Sequence, residues 1–291
     1  MSGLASIRSE LEELRQALPP TGEKLSTWQR HRADPVAWIN ECRLLRDRQG
    51  NPVELDPLQV SILRSGQRRT IILCHRQWGK SSLAALVVLH QAIFFSDSLC
   101  LLVSPSLRQS SENFKKVLYF LSCLEDRPLM QEDTRLSMTL SNHSRVVSLP
   151  GGNDGKTIRG YSGPDVIVID EGAQCSDELY HALTPMQASN PDGKLWLCST
   201  PHGQRGFFYQ TWQDDSPGWL KVAVRAEENP RIDPLWLEEQ RQIMGPLNYQ
   251  QEFENSFLND EFSVFTEEML AKMISGDEDD EKNREVNPFD Y

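Results

Sequence analysis

Residues 70–86 read TIILCHRQWGKSSLAAL, an apolar strand followed by a short loop and the start of an apolar helix. The loop contains Gly79, Lys80 and Ser81 directly before the helix. Such a junction can bind phosphate, because free backbone N–H groups, a lysine ammonium and a serine hydroxyl meet there. The pattern GxxxxGK[ST] is incomplete, since Cys74 stands at the first glycine position. The alternative is a helix that merely begins with Gly-Lys-Ser, so the prediction of a phosphate site depends on further motifs.

The charge of the sequence is distributed unevenly along its 291 residues. The formal net charge is −12, but residues 251–291 contain thirteen acidic and three basic side chains and so account for −10 of it. No acidic residue occurs between Pro57 and Ser96, where the basic residues are Arg64, Arg68, Arg69, Arg76 and Lys80. An anion site therefore fits this window despite the overall acidity. The three arginines at 64–69 could contact DNA phosphates, although a solvated basic face is the simpler interpretation.

Composition excludes several classes of protein. Hydrophobic residues make up 38% of the chain, enough for a buried core. No apolar run reaches the roughly 18 residues of a membrane span, and the charged N-terminus is unlike a secretory signal. The six cysteines show neither a CxxC pair nor metal-like spacing, which predicts free and mostly buried thiols in a reducing compartment. We therefore expect a soluble, cytoplasmic protein.

Short apolar segments alternate with helix-like segments after residue 68. Strands are predicted at Thr70–Cys74, Leu99–Val103, Val146–Leu149, Val166–Ile169 and Leu195–Cys198. Strands that are apolar on both faces and separated by helices are typical of a parallel sheet covered by helices, an α/β fold. Further helices are predicted at residues 4–18, at 34–47 with Asp34 as N-cap, and at 235–258 with a break at Gly245-Pro246.

These segments divide the chain into four predicted regions. Residues 1–50 form an N-terminal helical segment and residues 51–228 form the α/β core. Residues 229–274 form a C-terminal helical extension or linker. Residues 275–291 form a polar, acidic and disordered tail.

Two further motifs follow apolar strands. The stretch PDVIVIDEGAQ (164–174) places Asp170 and Glu171 at a strand end, where one acid can hold Mg²⁺ and the other can polarise water. The stretch KLWLCSTPHG (194–203) places Ser199 and Thr200 at the same edge, where hydroxyls can sense a phosphate. Each alone has a plain alternative, a helix N-cap or an ordinary turn. In this order and together with the Gly-Lys-Ser loop, they predict nucleotide hydrolysis.

Three stretches together resemble a known family. RQWGKSS (76–82), IRGYSGPDVIVIDEGAQ (158–174) and LCSTPHGQRGFFYQTW (197–212) are similar to the ATPase half of the large terminase subunit of tailed bacteriophages. LDPLQVSIL (55–63) resembles the adenine-contacting segment of that family, and NYQQEFENSFL (248–258) resembles the end of its ATPase domain. The resemblance covers about residues 34–265 and implies a P-loop NTPase fold of the RecA-like (ASCE) type.

The resemblance also implies roles for individual residues. Ser81 and Asp170 would hold Mg²⁺, and Glu171 would be the catalytic carboxylate. Catalytic arginine charge would come from Arg76 within the subunit or from Arg159, donated to a neighbouring subunit. Ser199 and Thr200 would form the coupling motif. The implied nucleotide-binding residues, with Gln59 contacting adenine, are Gln59, Arg76, Gln77, Gly79, Lys80, Ser81 and Ser82.

Finally, the resemblance implies an activity and its partners. ATP hydrolysis with Mg²⁺ would drive double-stranded viral DNA into a preformed capsid, in the cytoplasm of an infected bacterium. The expected partners are the DNA, further copies in a ring on the capsid portal, and the small terminase subunit, with no membrane. We expect no nuclease activity in this chain, because the residues after the resemblance are too few for the family's nuclease domain. The alternatives are a helicase-like ATPase and a nucleotide-binding interaction module without turnover.

Overall fold

The computed structural model describes residues 25–151, 158, 160–215, 217–229 and 231–258. The chain divides into two compact units, Met1–Arg64 and Ser65–Tyr291. The predicted helix at 4–18 and the predicted acidic tail at 275–291 lie outside the described residues. The four predicted regions stay a prediction.

The first unit contains three short helices: α1 (Thr27–Ala33), α2 (Pro35–Glu41) and α3 (Pro57–Arg64). Asp34 is the N-cap of α2, as predicted, and its side chain accepts a hydrogen bond from the N–H of Val36. The helix ends at Glu41 and does not continue to residue 47 as predicted. The side chain of Asp47 instead accepts the N–H groups of Gln49 and Asn51, which stabilises a turn in place of a further helical turn.

The second unit is built on an eight-stranded sheet with the order β3-β4-β5-β2-β6-β7-β1-β8. The strands are β1 (Arg69–Cys74), β2 (Leu99–Ser104), β3 (Met130–Asp133), β4 (Ser137–Leu140), β5 (Arg145–Pro150), β6 (Val166–Asp170), β7 (Lys194–Ser199) and β8 (Leu220–Val224). The six described strands from β5 to β8 in this order are parallel, and β3 and β4 are antiparallel. The predicted α/β class is confirmed.

All five predicted strands are present, each one or two residues longer than predicted. The sequence patterns did not identify β3, β4 and β8, so the sheet has three more strands than predicted and contains antiparallel pairs. The residues of β3 are all exposed and those of β4 are only alternately buried, so neither strand has an apolar run on both faces. The strand β8 at the edge of the sheet is mostly half-buried. Edge positions need less apolar surface, which weakens the sequence signal that identifies central strands.

Helices cover the sheet and extend beyond it. They are α4 (Lys80–Phe94), α5 (Leu107–Ser122), α6 (Asp177–Leu183), α7 (Gly206–Gln213), α8 (Pro234–Met244) and α9 (Pro246–Phe253). Short 3₁₀ turns occur at Gly172–Gln174, Thr184–Ser189 and Ala226–Glu228. The predicted break between the last two helices is confirmed at Gly245, whose φ of 74° ends α8. No helix among the described residues is long and apolar enough to cross a membrane.

The core of the second unit lies between the sheet and its helices. The central strands contribute Ile71, Leu101, Val103, Ile169 and Leu197 to it, and the covering helices contribute further buried side chains. All six cysteines are free thiols, and Cys74, Cys100 and Cys198 are buried within the strands. Burial raises the pKa of Cys74 to about 12, so this thiol stays protonated at neutral pH. The predicted free, mostly buried thiols agree with this arrangement.

Candidate functional site

The sheet order brings the three sequence motifs to one edge. The strand β7 lies between β6 and β1 and pairs in parallel with both. In this register Asp170 is opposite Cys198, and Leu73 is opposite Ser199. The carboxyl ends of the three strands therefore coincide, and the residues that follow them face a common space. This is the position at which parallel α/β sheets bind ligands.

The loop after β1 turns sharply into α4. Gln77 and Gly79 both have left-handed backbone conformations, with φ of 68° and 98°. The first hydrogen bond of α4 runs from the N–H of Leu83 to the carbonyl of Gly79. The N–H groups of Lys80, Ser81 and Ser82 therefore belong to the free first turn of a helix. Such a turn attracts phosphate oxygens.

Lys80 and Glu171 form an ion pair across the sheet edge. The Nζ atom of Lys80 lies 2.9 Å from Oε1 of Glu171, and the lysine side chain is only 9% exposed. Burial acts to lower the pKa of Lys80, but negative groups including Glu171 and Asp170 outweigh this effect and raise it. The lysine is therefore a fixed positive charge at neutral pH. The second oxygen of Glu171 is buried and accepts no hydrogen bond from the described residues.

Asp170 is buried at the end of β6 and its two oxygens have different surroundings. Its Oδ2 accepts a hydrogen bond of 2.8 Å from the side-chain amide of Asn113 on α5. Its Oδ1 is also buried, yet no described residue donates a hydrogen bond to it. A buried carboxylate oxygen without a donor is costly, and a bound cation satisfies it. The sequence motifs missed Asn113, although a polar residue on the buried face of α5 was a signal for it.

Ser199 connects β7 to the turn that follows Glu171. Its hydroxyl is fully buried and accepts a hydrogen bond of 3.1 Å from the N–H of Ala173. Glu171 itself has a left-handed backbone, with φ of 55°, which directs the chain into the 3₁₀ turn. Thr200 is buried at the same strand end. Two of the predicted residues therefore lie beside the acidic pair, and one of them holds its turn.

Arg76 points to the C-terminal helices. Its guanidinium forms an ion pair with Glu252 of α9, with 2.5 Å between Nε and Oε2 and a hydrogen bond of 3.1 Å from Nη2 to Oε1. The sequence motifs did not identify Glu252, which is 176 residues away along the chain. Arg159, the other predicted catalytic arginine, lies outside the described residues.

A second lysine lies near the acidic pair. Lys116 is half-buried on α5, one turn beyond Asn113. Burial lowers the pKa of Lys116, while the negative charge of Asp170 partly opposes this effect. The sequence motifs gave no indication of this lysine, because it belongs to a helix without a recognisable signature.

Gln59, the predicted adenine contact, belongs to the first unit. It is buried on α3, and its side-chain oxygen accepts the N–H of Asp56 at 3.1 Å. The carboxylate of Asp56 in turn accepts the N–H of Gln59 at 2.9 Å. Each side chain thus accepts the backbone N–H of the other residue at the start of α3, as in a capping box. The structure thus gives Gln59 a local stabilising role, and the adenine contact stays a prediction.

Comparison with known proteins identifies a family. A family model described as "Terminase large subunit, T4likevirus-type, N-terminal" matches residues 71–272. The terminase large subunit of Thermus phage G20c is 22% identical over an alignment of 242 positions, which covers 72% of this chain and 50% of that protein. The chain thus spans about half the length of this relative.

Solved structures share the fold. The large terminase ATPase domain of Thermus phage P74-26 superposes with a TM-score of 0.60 at 18% identity, covering 70% of this chain and 94% of that domain. The large terminase of a thermophilic bacteriophage, solved in complex with ADP, gives a TM-score of 0.60 at 13% identity, covering 74% of this chain and 57% of that one. The predicted P-loop NTPase fold is confirmed by these similarities.

The left-handed conformation of Gly79 leads to a first prediction. A Cβ at φ of 98° is strained, so Gly79→Ala should lower the free energy of unfolding by about 1–2 kcal/mol. Urea unfolding measures this loss. Gly160→Ala is the matched control, because Gly160 has no left-handed φ and a Cβ there would meet no atom of the described residues within 4 Å. Equal stability of the two variants would contradict the strain at Gly79.

The buried His75 leads to a second prediction. Burial lowers the pKa of His75 from its ordinary value of 6.5 and outweighs the hydrogen bond to the carbonyl of Arg76. The folded protein therefore binds this proton less readily than the unfolded chain, and its stability falls as the pH drops below about 6.5. Urea unfolding at pH 7.5 and 5.5 should show a smaller loss for His75→Gln than for the wild type. The same loss in both proteins would show that His75 does not contribute.

Proposed function

Because the chain belongs to the terminase large subunit family, T4-like virus type, N-terminal part, we propose that it hydrolyses ATP to move double-stranded viral DNA into a capsid. The observation that carries this proposal is the ion pair between Lys80 and Glu171. It brings the Gly-Lys-Ser loop and the acidic strand end within 2.9 Å of each other. ATP hydrolysis needs both a phosphate-binding cation and a carboxylate at one place.

The phosphates of ATP would bind at the N-terminus of α4. Gly79 and Gln77 shape the loop, and the N–H groups at Lys80 to Ser82 would donate to phosphate oxygens. The ammonium of Lys80 would leave Glu171 and contact the β- and γ-phosphates. The large terminase of the thermophilic bacteriophage shares this fold and was solved with ADP, which supports nucleotide binding by the chain. Gln59 is proposed to contact the adenine.

The metal ion that accompanies ATP fits the residues present. Asp170 offers a buried oxygen that accepts no hydrogen bond from the described part of the chain, and Ser81 lies in the first turn of α4. No cluster of three His, Cys, Asp or Glu side chains occurs among the described residues. This donor set suits Mg²⁺, which binds through one or two carboxylates, phosphates and water. Bound there, Mg²⁺ supplies positive charge to the phosphate oxygens.

Glu171 is proposed as the catalytic carboxylate. After Lys80 has moved to the phosphates, Glu171 accepts a proton from a water molecule. The water oxygen forms a bond to the γ-phosphorus, and the bond between that phosphorus and the β–γ bridging oxygen breaks. ADP leaves with the bridging oxygen, and the γ-phosphoryl group leaves as phosphate. In the resting structure the ion pair with Lys80 keeps Glu171 from acting as a base.

Arginine charge would stabilise the transferring phosphoryl group. Arg76 is proposed for this role within the subunit, which requires that it exchange Glu252 for the γ-phosphate. The side chain of Arg76 is 64% exposed and can move, but that of Glu252 is only 16% exposed, so this exchange would leave the carboxylate of Glu252 without its partner. Arg159 is proposed to act on a neighbouring subunit.

The hydrogen bond between Ser199 and Ala173 supports a coupling role for the strand end that carries Ser199 and Thr200. The turn beginning at Gly172 follows Glu171 directly, so a change at the γ-phosphate reaches β7 through a single hydrogen bond. We propose that loss of the phosphate shifts this turn and the segment after Thr200.

The remaining partners follow from the family. We propose a ring of copies on a capsid portal, with the small terminase subunit as a further partner. We place this motor in the cytoplasm of an infected bacterium.

The third prediction tests the ATPase directly. Glu171→Gln removes the base and should lower Mg²⁺-dependent ATP turnover by about 10²–10⁴-fold while nucleotide binding remains. The measurement is phosphate release by the purified chain over a range of protein concentrations. Glu178→Gln is the matched control, because it removes the same charge from a position seven residues away, outside the ion pair with Lys80.

Two results would overturn this proposal. The first is an unchanged turnover rate in Glu171→Gln. The second is nucleotide binding by the wild type without hydrolysis at any protein concentration, which would instead indicate an interaction module. A rate per subunit that rises with protein concentration would support an arginine donated between subunits.

A further inference from the structure

A chain of buried polar side chains links three elements behind the acidic pair. Ser104 ends β2, Asn113 lies on α5, and Asp170 ends β6. The amide nitrogen of Asn113 is 2.9 Å from the hydroxyl of Ser104 and 2.8 Å from Oδ2 of Asp170. All three residues are at most 4% exposed. Each of the two amide hydrogens therefore has its own acceptor.

The elements that carry these residues pack directly against one another. The strands β2 and β6 are neighbours in the centre of the sheet, and Val103 pairs with Ile169. Ser104 and Asp170 follow at the same level, one residue further along. The helix α5 packs on β2, which fixes the distance between Asn113 and both acceptors. The rotamer of Asp170 is thus set by the fold rather than by solvent.

This arrangement makes the two oxygens of Asp170 unequal. Oδ2 is occupied by Asn113, whereas Oδ1 is buried and receives no hydrogen bond from any described residue. An amide also carries no net charge, so Asn113 orients the carboxylate without cancelling its charge. A lysine or arginine at this position would compete with a bound cation.

We propose that Asn113 is a positioning residue that holds Asp170 so that Oδ1 is the metal-binding oxygen. This inference rests on the proposed function, because it requires a divalent cation beside the nucleotide. Ser104 fixes the amide of Asn113 from the other side. Outer partners of this kind typically change metal affinity by about 10–100-fold when they are removed.

The experiment measures metal binding without turnover. Mn²⁺ binding to the full chain is followed by electron paramagnetic resonance in the presence of a non-hydrolysable ATP analogue. Asn113→Ala should weaken Mn²⁺ binding by about 10-fold or more. Binding of a fluorescent ATP analogue in EDTA, which needs no metal, should change less than about two-fold, because the amide of Asn113 donates to Ser104 and Asp170, neither of which belongs to the phosphate loop.

Two further variants keep the test decisive. Asn142→Ala is the matched control, because this asparagine also donates from its amide, to the carbonyls of Ala92 and Ile93 at the far end of α4. It should lose stability and keep its Mn²⁺ affinity. Ser104→Ala keeps the bond from Asn113 to Asp170 but removes its anchor, so a smaller loss of Mn²⁺ affinity is expected. If Asn113→Ala does not fold, Ser104→Ala decides the question alone.

The outcomes separate this inference from the function on which it rests. If the wild type binds Mn²⁺ with the analogue and Asn113→Ala binds it equally well, the positioning role is wrong and the ATPase proposal stands. Equal binding by Ser104→Ala has this meaning only if Asn113→Ala does not fold. If the wild type binds no Mn²⁺ with the analogue, both proposals fail. A selective loss of metal binding, with metal-free nucleotide binding intact, supports the role of Asn113.

Discussion

Two carboxylates, Asp170 and Glu171, lie together at the end of β6, and the ammonium groups of Lys80 and Lys116 lie near them. Lys80 pairs with Glu171, and Asp170 is held only by a neutral amide. Buried charge is costly unless it is paired or hydrogen-bonded, and two carboxylate oxygens at this edge accept no hydrogen bond from the described residues. The buried Oδ1 of Asp170 is therefore a suitable ligand for a cation. A metal ion bound to a polyphosphate would supply this cation, and the phosphates would bind the ammonium of Lys80.

The order of the strands and a few contacts between elements hold these charged groups in place. The strand β7 is the one strand between β1, which precedes the phosphate loop, and β6, which ends at Asp170, so the two loops are two strand spacings apart. The side chains of Lys80 and Glu171 bridge this gap. Ser199 on the same strand holds the turn after Glu171. The ion pair from Arg76 connects the phosphate loop to α9. If ATP binds as proposed, Lys80 and Arg76 both exchange a carboxylate partner for a phosphate, and the released carboxylates belong to Glu171 and Glu252. ATP binding would therefore be coupled to α9 as well as to the sheet edge.

Sequence patterns were sufficient for the parts of the molecule that depend on local chemistry. The five central strands, the cap at Asp34 and the convergence of Lys80 with Glu171 follow from apolar runs, cap residues and strand order. The missed parts depend on contacts between distant residues. Asn113 is 57 residues from Asp170, and Glu252 is 176 residues from Arg76. No local pattern distinguishes an amide that orients a carboxylate from any other buried polar residue.

The ion pair between Lys80 and Glu171 is, in our proposal, the resting state of a nucleotide site. A crystal structure of the chain with Mg²⁺ and a non-hydrolysable ATP analogue tests this role most directly. We predict that Nζ of Lys80 moves beyond hydrogen-bonding distance of Oε1 of Glu171 and contacts the phosphates. We also predict that Oδ1 of Asp170 faces the metal. A structure with bound analogue in which the 2.9 Å pair persists would contradict this role of the ion pair.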